Sequence, residues 1–323
     1  MIAAVYRETG ASGVLSVEEV STPSPGPGEV RVRVVVAGVN PTDWKSRAGT
    51  TGEVAFEFQV PGQDGAGVID AVGDGVDALR VGERVWVYFA AWRRQWGTAA
   101  QFCVVPSEQA VPLPPGASFE LGASLGIPAL TAYHCLRADG PVVGADVLVA
   151  GGAGAVGHAA IELAVWSGAR VVSTVSGPEK GVLADVAGAS VVVNYRDDDA
   201  ADQIRAAAPD GVSRIVELAL GPNLELDLAV IAPHGVIATY AADAATASVP
   251  VRALMTPNLT LRFVLVYTIG RAALRSAVDG VCEALAVGAL TTLPVHRFPL
   301  SDTAGAHDAV ESGAVGKVVI DMP

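Results

Sequence analysis

Cysteine is scarce. Three residues, Cys103, Cys135 and Cys282, are spread over 323 positions with no CxxC pair. That spacing excludes a disulfide framework and a four-thiolate zinc site, and it points to a reducing compartment. Charge is also thin, at 17% of residues, below the roughly 25% of an average globular chain. Its balance is acidic, with 34 Asp and Glu against 21 Lys and Arg, a net charge of −13. No run of Lys or Arg interrupts this background, so a nucleic-acid-binding face is excluded. No apolar run approaches the roughly 20 residues that cross a bilayer. The longest, such as Phe263–Tyr267, have the length of a strand. Met1–Glu8 lacks the basic-then-apolar pattern of a secretory signal, so a cytoplasmic protein with no membrane partner is expected.

What the chain does have is apolar residues, 51% of the total, with 36 Gly and 20 Pro. It can bury a large core and make many tight turns, which rules out disorder. At about 150 residues per domain its length suggests two domains. The first third is β-rich. Val30–Val36 begins in alternation as a half-buried strand does, directly after the turn cluster Pro23–Gly28. Val68–Val72 and Arg84–Phe89 follow as strands between glycines, the spacing of a compact barrel or sandwich. Phe119–Leu136 is helix-prone but interrupted by Pro128. Beyond it, apolar strands alternate with helices: Val147–Ala150, helix Val156–Trp166, Arg170–Val175, helix Lys180–Ala187, Val191–Val193, Arg214–Leu218, Gly235–Thr239 and Leu261–Val266. Such alternation implies a parallel sheet covered on both faces. A last helix, Arg271–Val287, precedes a return to β pattern ending in Lys317–Ile320.

Between Val147–Ala150 and the next helix lies Gly151-Gly-Ala-Gly-Ala-Val-Gly157, with the G-x-G-x-x-G spacing at Gly152, Gly154 and Gly157. The first glycine makes the turn, the second lets backbone approach a pyrophosphate, and the third brings helix and strand close. The helix N-terminus, from Ala155 and Val156, offers N–H donors and a positive dipole to the phosphates. A dinucleotide site is expected because strand, loop, helix and next strand are all present. An NAD site usually places an acid about 20 residues beyond the glycines to hold the ribose hydroxyl. Here the corresponding stretch is Ser176-Gly-Pro-Glu-Lys180. Ser176 and Lys180 can donate to a 2′-phosphate that a carboxylate would repel, and Arg196 adds charge nearby, so NADPH is favoured although Glu179 points the other way.

Nucleophilic catalysis finds no support, because Ala123-Ser-Leu-Gly126 does not fit a G-x-S-x-G elbow. The histidines, His134, His158, His234, His296 and His307, show no metal-ligand spacing and read as surface or helix-cap residues. The remaining motifs, in order, are Gly38-Val-Asn-Pro-Thr-Asp-Trp-Lys45, Pro61-Gly-Gln-Asp-Gly-Ala-Gly-Val68, Val81-Gly-Glu-Arg-Val85, Gly97-Thr-Ala-Ala-Gln-Phe102, Ala129-Leu-Thr-Ala-Tyr133, the glycine loop, Val193-Asn-Tyr195 and Gly316-Lys-Val-Val-Ile320. On these the chain resembles, over its full length, the zinc-free quinone oxidoreductase (zeta-crystallin-like) branch of the medium-chain dehydrogenase/reductase superfamily.

The resemblance implies an α/β fold. A GroES-like β-rich catalytic domain would span 1–124 and 270–323, and a Rossmann doubly wound domain 125–269. It implies no metal: zinc-dependent members place Cys near Asn40 and Gly-His-Glu near Gly62, whereas this chain has Asn40 and Gly62-Gln-Asp64. It implies hydride transfer from NADPH to a small-molecule quinone or conjugated enone, with Asn40, Asp43 and Lys45 as candidates lining the hydride-transfer cleft. Thr131 would contact the nicotinamide side of the cofactor, and Ser176, Lys180 and Tyr195 the 2′-phosphate. Tyr240, Phe263, Val264 and Lys317 would close over it. Relatives carry a tyrosine shortly after the Asn-Pro motif; Arg47–Gly52 has none, leaving Lys45, Thr50 or solvent as proton source. Trp44, Tyr88, Trp92 and Trp96 would form an aromatic wall, while Trp86 belongs to the core. A homodimer through an edge strand, Leu261–Val266, is also implied. Two other readings stay open, an enoyl-thioester reductase of a fatty-acid or polyketide pathway and a non-catalytic NADPH-binding structural or sensor protein.

Overall fold

The computed structural model describes every residue except Thr51, Asp243 and Ala245. Two compact units divide the chain, 1–127 with 294–323, and 128–293. The first begins with β1 (Ile2–Val5) and β2 (Ser16–Glu19), which pair antiparallel. Next come β3 (Glu29–Val39), α1 (Pro41–Arg47), β4 (Asp64–Val72), β5 (Arg84–Val87), β6 (Phe102–Pro106), β7 (Ala110–Pro112) and α2 (Phe119–Gly122). Strand β3 is the spine, longer at both ends than its alternation suggested, and it pairs with both β4 and β6. Its valines alternate into the core until Val36, after which both faces are covered. Strand β5 stops at Val87, short of the expected Phe89, because Phe89 turns the chain with φ 56°. As expected, Trp86 is fully buried.

The helix-prone stretch 119–136 is not one helix. Pro128, with no N–H to donate, sits in a π-helical turn, Leu125–Ala129, that separates α2 from α3 (Leu130–Arg137). The second unit continues with β8 (Asp146–Ala150), α4 (Ala155–Trp166), β9 (Arg170–Val175), α5 (Pro178–Val186), β10 (Val191–Asn194), α6 (Ala200–Ala207), β11 (Val212–Glu217), α7 (Leu220–Val230), β12 (Ile231–Thr239), α8 (Val251–Met255), β13 (Thr260–Phe263) and α9 (Arg271–Ala286). Its six strands are all parallel in the order β10-β9-β8-β11-β12-β13. That is the doubly wound order, with its reversal beside β8, the strand that feeds the glycine loop. The strands read as continuous apolar runs because helices cover both faces.

The chain then returns to the first unit through β14 (Val295–Pro299), α10 (Thr303–Glu311) and β15 (Lys317–Asp321). Strand β15 pairs antiparallel with β3 and parallel with β14, so Lys317 lies opposite the end of β3. The expected split at residue 270 is displaced, since α9 belongs to the second unit. Gly280 explains why: a Cβ there would meet the Tyr133 ring at 2.0 Å, so α9 rests directly on α3. Two histidine expectations also need correction, because His158 and His307 are buried. His307 sits with its ring pushed down to about 4, chiefly by burial.

Candidate functional site

In the first unit the site starts from the turn after β3. Asn40 is the N-cap of α1, and its side-chain amide also reaches partners outside the helix. The amide nitrogen donates to Asp64 Oδ2 at 2.7 Å, and the amide oxygen accepts from Lys317 Nζ at 2.8 Å. Asp43, at the third helical position, accepts from the Asn40 backbone N–H at 2.7 Å and from the Gln63 N–H at 3.1 Å. Asp64 is held further by the Ile127 N–H, 2.9 Å from both its oxygens. All four side chains are buried, Lys317 to 2% exposure. Two glycines make room. A Cβ on Gly38 would meet Ala123 O at 2.0 Å and the Lys317 ammonium at 3.1 Å, and one on Gly126 would meet Asp64 Oδ1 at 2.0 Å.

Burial is the dominant electrostatic cause here, since it disfavours every charged form. It pushes Asp43 up to about 7, helped by the Asp64 charge and opposed by backbone donors and Lys317. Burial likewise raises Asp64 to about 6, opposed first by Lys317. The Lys317 ammonium is pushed below its ordinary range by burial, with both carboxylates working against the shift. The result is a closed network of ammonium, amide and carboxylates.

A cavity of ≈ 300 Å³ lies in this unit, with Asp43, Ser46 and Gln63 on its polar side and Tyr6, Phe56 and Trp92 on its aromatic side. Asp43 and Ser46 are three residues apart and therefore share one face of α1. Lys45 is turned off that face and does not line the cavity; its ammonium lies 5.7 Å from the Trp44 ring centroid. Of the expected aromatic wall only Trp92 is present. Tyr88 is 4% exposed and packs on Trp86 and Phe89. Trp96 packs edge-on against Phe58, and Trp44 does not line the cavity. Tyr6 and Phe56 take their places. No local motif marks Tyr6, whose position depends on pairing with Gln59, more than fifty residues away in the chain.

In the second unit Gly154 is the N-cap of α4 with no side-chain cap, so the first N–H groups of a helix remain available. A Cβ on Gly157 would meet Gly151 O at 2.3 Å, and one on Gly152 would meet Ser173 Oγ at 2.1 Å. These glycines are required by packing, whereas Gly154 faces solvent. Ser176 follows β9, Tyr195 follows β10, and the Tyr195 N–H donates to Val175 O at 3.1 Å, which brings the two strand ends together. Arg196 reaches Ser176 O at 3.4 Å and lies 5.7 Å from the centroid of the 43%-exposed Tyr195 ring. Lys180 is in the first turn of α5, four residues beyond Ser176. Thr131 is buried in α3, Tyr240 follows β12 with its N–H on Glu217 O, and Val264 is buried while Phe263 is 73% exposed. Lys317 belongs to the network of the first unit, with Asn40 and Val39 as its hydrogen-bond partners.

A GroES-like β unit and a doubly wound sheet with a glycine-rich phosphate loop define a class, the two-domain nucleotide-dependent oxidoreductases. The family described as Alcohol dehydrogenase GroES-like domain matches residues 26–115, and the family described as Zinc-binding dehydrogenase matches 155–282. The quinone oxidoreductase of Rattus norvegicus is 30% identical over 321 residues, covering 97% of this chain and 95% of the relative. Mycobacterial Rv1454c, solved in complex with NADPH, superposes with a TM-score of 0.86 at 30% identity, covering 99% of this chain and all of the other. Escherichia coli quinone oxidoreductase, also complexed with NADPH, gives 0.85 at 25% identity over 99% of this chain and 100% of its own. The chain belongs to the medium-chain dehydrogenase/reductase superfamily, in its quinone oxidoreductase branch.

Proposed function

We propose that this protein is an NADPH-dependent reductase that delivers hydride to a quinone or conjugated enone without zinc. One observation carries the reading: Asn40 stands where zinc-dependent relatives place a thiolate, and both ends of its amide are already committed. A buried ammonium, Lys317, occupies its oxygen, and Asp64 its nitrogen. With Gln63 in the place of the imidazole, amides stand at both the thiolate and the imidazole positions, and amides are poor ligands for zinc.

The residues present fit NADPH. The α4 N-terminus at Gly154, Ala155, Val156 and Gly157 would hold the pyrophosphate, with Gly152 shaping the turn. Ser176, Lys180 and Tyr195 would hold the 2′-phosphate, with Arg196 beside them. Thr131, Tyr240, Phe263 and Val264 are proposed contacts nearer the nicotinamide. When bound, NADPH supplies the hydride. Asn40 and Asp43 are proposed to orient the acceptor, and the aromatic cavity to bind its plane and exclude water. Lys317 is best read as a positioning residue acting through Asn40. A homodimer through the edge strand β13 belongs to the same reading, and sedimentation at micromolar concentration reads it.

The acceptor is tested by following NADPH oxidation with naphthoquinone, phenanthrenequinone, a simple enone and a crotonyl thioester. Turnover with quinone or enone is expected. Turnover of the thioester alone would transfer the function to an enoyl-thioester reductase, and NADPH binding without turnover of any acceptor would favour a sensor.

A further inference from the structure

We propose that Tyr6 is the proton donor to the acceptor oxygen, a step that rests on the reductase reading above. Its backbone is pinned to Gln59 in both directions, N–H to O at 3.0 Å and O from N–H at 2.8 Å. Gln59 is fixed in turn, because its side-chain amide donates to the carbonyls of Val60, Arg94 and Gln95. The Tyr6 side chain is only 6% exposed, lines the same cavity as Asp43, and makes no hydrogen bond to a described residue. Gln63 on the same cavity is 4% exposed, and its amide oxygen has no partner. A buried amide oxygen without a partner, next to a phenol that lines the same aromatic space, implies a ligand that carries an oxygen function, since a buried polar atom costs free energy when left unpaired.

The other groups on or near this wall serve worse as acids. Lys45 lies over Trp44, and Thr50 does not line the cavity. Both Asp43 oxygens already accept backbone N–H groups. Thr9 and Ser46 are aliphatic alcohols, far weaker acids than a phenol. Burial and the Asp43 charge push the Tyr6 phenol up to about 12, so at working pH it is fully protonated and in donor form. An enol or hydroquinone oxygen has acidity of the same class as a phenol, the match that favours general-acid transfer.

The step balances. Two electrons arrive as hydride at the electron-poor carbon of the acceptor, whose conjugated π pair moves to its oxygen. The Tyr6 O–H bond breaks as the new O–H bond forms, and the phenolate regains a proton from water. NADPH is oxidised, the acceptor is reduced, and one proton is taken up from solvent.

The test is Tyr6→Phe, which removes one oxygen and keeps the ring. With an enone acceptor, kcat should fall about 100-fold, within the usual range for a lost general acid, with KM for NADPH unchanged. Without NADPH, para-nitrophenolate stands in for the anionic oxygen, and its affinity should fall about tenfold while that of para-nitrotoluene is unaffected. A variant equal to wild type in turnover and in nitrophenolate binding would overturn the assignment. If the wild type turns over no acceptor, the reductase reading fails, and nitrophenolate binding still decides the role of Tyr6.

Discussion

At the scale of residues, the proposed 2′-phosphate site rests on a few local donors set against a net charge of −13. Lys180 is the cation among them held on a helix first turn. Lys180→Ala should raise KM for NADPH about 10- to 100-fold, the worth of one hydrogen bond to a charged group, and leave NADH nearly unchanged. Equal losses for the two cofactors would show that the ammonium does not touch the 2′-phosphate. The glycine loop and the two strand ends were legible in the sequence because they follow local rules, and the proposed phosphate contacts are read from them. The network of Asn40, Asp43, Asp64 and Lys317 was legible only in part. Lys317 is more than 270 positions from Asn40, and the antiparallel pairing of β15 with β3, rather than any motif, brings them together.

At the scale of elements, the parallel strands were readable because each is a short apolar run between turns. Helices α6, α7 and α10 were not. Helix α7 has buried residues at Leu220, Leu224, Asp227 and Val230, an apolar stripe broken by a carboxylate. Helix α9 was recognised from its periodicity but assigned to the wrong unit, because the contact of Gly280 with Tyr133 is tertiary. That contact is testable. In an ordinary helix interior, Gly→Ala gains up to about 1 kcal/mol. Gly280→Ala should instead lose about 1–3 kcal/mol in denaturant unfolding, the usual cost of overpacking, since its Cβ would enter the Tyr133 ring. A gain in stability would mean that α9 does not rest on α3 at this point.

For the molecule as a whole, several buried carboxyls shift in one direction. Asp227 is pushed up to about 8, first by burial and then by the Glu217 charge, and Asp43 and Asp64 are raised as well. Each binds its proton more tightly folded than unfolded. Their stabilising contribution is therefore complete below the ordinary value of 3.8 and is lost as pH rises through the folded values. Asp227→Asn, which fixes the neutral form, should match wild type near pH 4 and be the more stable protein above pH 8. Identical pH profiles for the two would remove Asp227 from this account.

Hydride transfer without a metal is proposed on the amide chemistry at Asn40 and Gln63. It is tested most directly by NADPH oxidation with phenanthrenequinone, using protein stripped with a strong chelator and checked by elemental analysis. Metal-free protein should turn over at the untreated rate, and added zinc should not increase it. Loss of turnover on stripping, restored by one equivalent of zinc, would instead make this a metal-dependent reductase.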